Sequence, residues 1–133
     1  MNSEFLPEAD EEFREAVLYY ENEAPGVGLR FVAEVRRGVT FITENPFAAV
    51  DVGSGIRRKV LNHFPYSLLY AVESELVVIV AVAHQKRRPR YWRGRLKDLR
   101  ERFGRTKSLT RTRLFRWRSK ASLLVLSFAR SKC

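Results

Sequence analysis

Residues 55–92 read GIRRKVLNHFPYSLLYAVESELVVIVAVAHQKRRPRYW, and this stretch decides the fold. A cationic strand over residues 56–64 reaches a tight Phe64-Pro65-Tyr66 corner. An apolar strand follows over residues 66–72, then a polar reversal at Glu73-Ser74-Glu75, then a second apolar strand over residues 76–83. So short a separation implies an antiparallel pair. Strands apolar at nearly every position are usually covered on both faces. The second of them ends in His84, and a basic, aromatic segment comes straight after it. One sheet edge thus receives a histidine, several cations and a tyrosine, an arrangement suited to a polyanion.

Working back toward the N-terminus, Glu4-Phe5-Leu6 reads as a short extended piece. Pro7 and the acids Glu8, Asp10, Glu11 and Glu12 make a helix start, because proline is tolerated in the first turn and acids complement its dipole. Phe13, Ala16, Val17 and Tyr20 then recur at helical spacing until Pro25-Gly26 breaks the run. Val32, Val35, Val39 and Ile42 mark the stripe of a second helix, which Asn45-Pro46 stops. Two helices with a short break predict an antiparallel hairpin. The expected fold is therefore α+β: a helical hairpin packed on a small antiparallel sheet, in the order β-α-α-β-β-β.

The chain has 133 residues and a net charge of +10, enough for one domain with a single core. The charge is segregated. Residues 1–55 hold 4 Lys and Arg against 11 Asp and Glu, a balance of −7. Residues 56–133 hold 21 against 4, a balance of +17. Such a field attracts phosphate or an acidic partner. Cys133 is the one cysteine, so neither an intrachain disulfide nor a cysteine metal cluster is expected. No apolar run approaches the roughly 18 residues of a membrane span, and the acidic N-terminus lacks a signal-peptide pattern. A cytoplasmic protein without membrane partners is the expectation. Residues 1–95 read as one domain. Residues 96–133 read as a basic extension, partly helical or disordered.

Among residues suited to chemistry, Arg57 and Lys59 alternate with Arg58, so the first two share one strand face and Arg58 takes the other. Lys86, Arg88 and Arg90 extend the cationic surface beyond His84. Tyr91 and Trp92 supply rings beside those cations. No P-loop, nucleophile elbow, HExxH motif or carboxylate cluster occurs, so no metal or other cofactor is expected. RNA cleavage needs no metal, since the 2′-OH is an internal nucleophile. Arg58, His84, Arg87 and Tyr91 are the residues to supply base, acid and charge stabilisation for it.

Three segments together carry a family resemblance: FLPEADEEFREAVLYYENEAPGVGLRFVAEV at 5–35, ENP at 44–46, and RRKVLNHFPYSLLYAV with VAVAHQKRRPRYW between 57 and 92. Over about residues 3–92 the chain resembles the RelE/ParE family of type II toxin–antitoxin toxins. The resemblance implies a growth-arresting toxin and a cognate antitoxin. Leu18, Leu29 and Phe41, which lie off the helical core stripes, are the antitoxin-binding candidates. The family divides in mechanism. RelE-like members cleave ribosome-bound mRNA, and Arg58 and Arg87 match two of their active-surface positions. Tyr91 stands near a third, one gap away. Their arginine after the corner is Ser67 here. ParE-like members poison DNA gyrase instead, and the acidic first helix and the HQKRRP loop look closer to them. Read without the resemblance, the same cationic sheet also suits a non-toxic nucleic-acid-binding domain.

Overall fold

The computed structural model describes residues 1–97, 99 and 101, and the backbone of residues 115 and 116. Strand β1 (Asn2–Phe5) leads directly into helix α1 (Pro7–Glu23), with Pro7 in its first turn and the Asp10 carboxylate 2.9 Å from Arg14. Helix α2 (Val27–Glu44) follows after three residues. Its first turn is capped from α1: the Glu21 carboxylate accepts the N–H groups of Gly26 and Gly28, each at 3.1 Å. The two helices touch closely here. A Cβ on Gly28 would stand 2.7 Å from the Val17 carbonyl oxygen, so no larger residue fits.

Beyond α2 come β2 (Val50–Asp51), β3 (Arg57–Val60), β4 (Tyr66–Glu73) and β5 (Leu76–His84), each antiparallel to the next. This is the antiparallel sheet that the sequence predicts, with three differences. The segment expected to be only a crossing loop contributes β2. The N-terminal strand β1 inserts beside β5 in parallel register, Phe5 opposite Ile79, making the sheet mixed. A two-residue strand, β6 (Phe115–Arg116), pairs with the far side of β1. The strand order is β2-β3-β4-β5-β1-β6.

The helices cover one face of this sheet. Phe31 of α2 lies 5.1 Å, centroid to centroid, from both Phe64 and Tyr66, so the Phe64-Pro65-Tyr66 corner is gripped by the helix it faces. Tyr70, on the same face as Tyr66, donates its hydroxyl to the Pro46 carbonyl at 2.8 Å. A bulge between Leu69 and Tyr70 leaves Val80 without a direct partner across the β4–β5 ladder. On the opposite face a 3-10 turn, Tyr91–Gly94, brings Trp92 against the sheet, where only 4% of it remains exposed. Residues 95–97 are helical, and Leu99 is buried in the core. The rest of the extension expected over residues 96–133 lies outside the described residues.

Strand β1 ends too early to pair all of β5. The last backbone bond between them runs from the Leu6 N–H to the Ile79 carbonyl. Beyond it, side chains take over. Arg95 donates to the Val80 carbonyl at 3.0 Å, and Glu12 accepts the Val82 N–H at 3.1 Å. Arg95 and Glu12 also bind one another through two contacts, 2.8 and 3.0 Å long. The ion pair thus stands where another two residues of β1 would lie. Tyr91 closes the node by donating its hydroxyl to Glu12 at 2.6 Å.

A second buried carboxylate fastens the turn between β3 and β4. Glu34, on α2, accepts the Asn62 N–H at 2.8 Å, bonds His63 Nδ1 at 3.0 Å and pairs with Arg37 at 2.8 Å. Burial alone would raise its pKa. The hydrogen bonds from Arg37, His63 and Asn62 outweigh that and hold it at about 2, down from 4.5.

Two measurements check these anchors. Glu12→Ala strands the Val82 N–H, the Tyr91 hydroxyl and the Arg95 guanidinium together, and is expected to cost about 2–4 kcal/mol in urea unfolding at neutral pH. Glu34→Gln should cost about 2–3 kcal/mol at pH 7, since the charged form is favoured in the fold. With the folded pKa depressed, that contribution is complete above pH 4.5 and disappears as pH falls toward 2. The stability gap between Glu34→Gln and the parent protein must close over that window. A gap that persists at pH 2 overturns the assignment.

Candidate target-binding groove

The alternation of β3 divides its cations as the sequence predicts. Arg57 and Lys59 point to the helical side. Arg57 donates to the carbonyls of Phe47 and Ala49 and lies 5.2 Å from the Phe47 ring centre, and Lys59 stands 4.6 Å from that of Phe41. Arg58 points to the open face. There it meets the loop after β5, and a groove of about 380 Å³ opens between them. Arg58, Arg87, Arg88 and Arg90 line it, with His84 and Tyr91, over a floor that includes Leu69, Ala83 and Trp92. The structure therefore gathers Arg58, His84, Arg87, Arg88, Arg90 and Tyr91 into one site. It leaves Arg57 and Lys59 on the other face, while Lys86 stands exposed outside the lining.

The groups proposed from sequence as base and acid are already engaged. The Nδ1 atom of His84 accepts the Lys86 N–H at 3.0 Å. In its neutral form the imidazole therefore carries its proton on Nε2, and neither nitrogen offers a lone pair to a substrate. Its ring meets Tyr66 edge-on, 5.0 Å between centres. Tyr91 donates its phenolic O–H to Glu12. Burial, then this hydrogen bond and the Glu12 charge, push the phenol's pKa well above its ordinary value. Arg87 lies over the Tyr91 ring at 4.0 Å, a cation–π contact that restrains the guanidinium. Ser67, buried on the groove wall, supplies no charge where RelE-like members have arginine.

Three features of the site escaped the sequence. Glu12 and Arg95 lie 83 positions apart, and nothing local marks them as partners. Arg90 adopts a left-handed backbone, φ 61°, at the start of the 3-10 turn. The glycine it leans on, Gly53, has φ +107°; its place in the Gly53-Ser54-Gly55 run was the one available signal.

The helical surface holds the antitoxin candidates. Leu18 is 51% and Phe41 39% exposed, whereas Leu29 is half-buried against the core. Tyr19, 58% exposed, joins Leu18 on α1, and Phe47, 66% exposed, packs under Arg57 as Phe41 does under Lys59. Among the described residues no helix is long and apolar enough to cross a membrane, and no three metal-binding side chains cluster.

Comparison with known proteins supports the same architecture. A chain of the chromosomal ParDE TA system from P. aeruginosa superposes with a TM-score of 0.56 at 18% identity, covering 63% of this chain and 95% of that one. At that identity the likeness speaks for the fold. No curated protein matches the chain. The family model described as the ParE toxin of the type II toxin–antitoxin system, parDE, matches residues 4–89. The chain, carrying this fold and a match across most of its described residues, belongs to the ParE toxin family of type II toxin–antitoxin systems.

Proposed function

We propose that this toxin arrests growth by binding DNA gyrase, and that its own residues break no bond. The observation that carries the reading is the engagement of Tyr91 and His84. A metal-free ribonuclease needs a group that takes a proton and one that gives it, within reach of the phosphate. Here the phenolic O–H donates to Glu12 and the Nδ1 lone pair of His84 accepts the Lys86 N–H. Ser67 leaves one fewer cation for the developing charge. Arg58 and Arg87 remain exposed on the groove, and on this reading they bind rather than catalyse, together with Arg88 and Arg90. The target places the toxin in the bacterial cytoplasm.

Membership of a type II family implies an antitoxin. In this proposal it covers the helical hairpin through Leu18 and Tyr19 on α1 and through Phe41 on α2. These side chains expose apolar area of the kind a partner helix or strand buries.

Purified toxin is expected to inhibit supercoiling of relaxed plasmid by gyrase and to leave mRNA intact on translating ribosomes. Tyr91→Phe keeps the ring beneath Arg87 and should change the inhibition less than twofold, roughly, since no proton transfer is lost. Cleavage of mRNA in the ribosomal A site, with supercoiling untouched, overturns the reading. For the partner, antitoxin binding should raise amide-exchange protection over residues 13–42. Unchanged exchange there excludes the hairpin as its seat.

A further inference from the structure

The groove concentrates positive charge. No carboxylate lines it, and Arg58, Arg87, Arg88 and Arg90 make no ion pair among the described residues. Four uncompensated arginines around one trough repel one another, and an anion relieves that repulsion. Two of the four are held in place before any ligand arrives. Arg87 rests on the Tyr91 ring. Arg90 crosses the mouth of the groove and donates through Nη2 to the Val52 carbonyl at 3.3 Å.

The position of Arg90 depends on two backbone concessions. Its own φ of 61° is a conformation that side-chain-bearing residues seldom adopt, at a cost of about 1 kcal/mol or more. Its guanidinium also sits against Gly53, where a Cβ would come within 3.2 Å of Nη2. A long cation fixed this way loses less freedom on binding than a mobile one. One edge of the fork is used by Val52, and the remaining donors are left for a ligand.

The floor decides what kind of anion fits. Leu69, Ala83 and Trp92 are apolar, which suits a sugar lying between phosphates. Trp92 is almost fully buried, so it offers no ring face for stacking a base. Contacts to phosphate and sugar position a polynucleotide without reading its sequence.

We propose that this groove seats the backbone of DNA, in a sequence-independent manner, so that the toxin grips the nucleic acid that gyrase holds as well as the enzyme. The choice of DNA over RNA rests on the gyrase reading; the phosphodiester chemistry does not.

Fluorescence anisotropy of the full 133-residue chain with two unrelated 20-base-pair DNA duplexes, between 50 and 300 mM salt, tests this. Other cations of the chain contribute a background, so the readout is the difference between variants. Arg58→Gln with Arg90→Gln removes two phosphate contacts. The slope of log K against log salt should become shallower by about 1.8, and equally for both sequences. Arg36→Gln, on the exposed side of α2, should leave the slope unchanged. If the double variant does not fold, Arg88→Gln, on the exposed loop, should still lower the slope by about 0.9. An unchanged slope in the groove variants overturns the proposal. A groove-dependent slope with RNA but not with DNA overturns the choice of DNA. Supercoiling inhibition measured on the same preparations separates the two readings. Inhibition with a groove-independent slope sinks the DNA seat alone. A groove-dependent slope without inhibition sinks the gyrase reading alone.

Discussion

A strand edge buried inside a protein must have its N–H and C=O groups bonded, and on the side where β1 runs, β5 has no strand beside it beyond Ile79. Glu12 and Arg95 meet that requirement from opposite ends of the domain. The consequences reach well past two hydrogen bonds. Because Glu12 is needed at the edge, it is also where the Tyr91 hydroxyl finds its acceptor. Tyr91 so held sets its ring beneath Arg87. Arg95, fixed by the same carboxylate, ends the 3-10 turn that buries Trp92. The shape of the cationic groove is thus a result of how a short first strand is completed.

That dependence also decides what the Tyr91 hydroxyl is bonded to. A phenol serving as catalytic acid must be free to release its proton toward substrate. Here it is committed to a structural acceptor whose own role is fixed by the sheet. The groove keeps its charge, while its phenol and the imidazole Nδ1 are bonded elsewhere in the fold.

The order of elements was legible because its signals are local. Pro7, Pro25-Gly26 and Asn45-Pro46 punctuate the helices, and the apolar runs after Tyr66 and Leu76 announce the paired strands. The facing of Arg57 and Lys59 away from Arg58 follows from strand alternation alone. The parallel pairing of β1 was not legible, since four residues before a proline carry no register information and their partner is more than 70 positions away. The site was legible in its cations and illegible in their state. His84 and Tyr91 have the right chemistry by type. Only the Lys86 N–H and the Glu12 carboxylate, one a turn geometry and one a distant side chain, reveal that both are taken. Leu29 likewise lies off the helical stripe, yet it packs half-buried against the core.

The parallel placement of β1 bears on how the chain comes off the ribosome. The first strand to be made must wait for β5, and its completion must wait for residue 95. Helices α1 and α2, joined by the Glu21 cap, can form from neighbours in sequence, but the pairing of β1 with β5 closes a loop of more than 70 residues. Contacts of such separation slow folding, because the entropy of closure is lost before the pairing returns it. Through most of its synthesis the nascent chain therefore has an unfinished sheet and no assembled groove. The helical hairpin can therefore be complete, and open to a partner, before residue 95 has been made and the groove assembled.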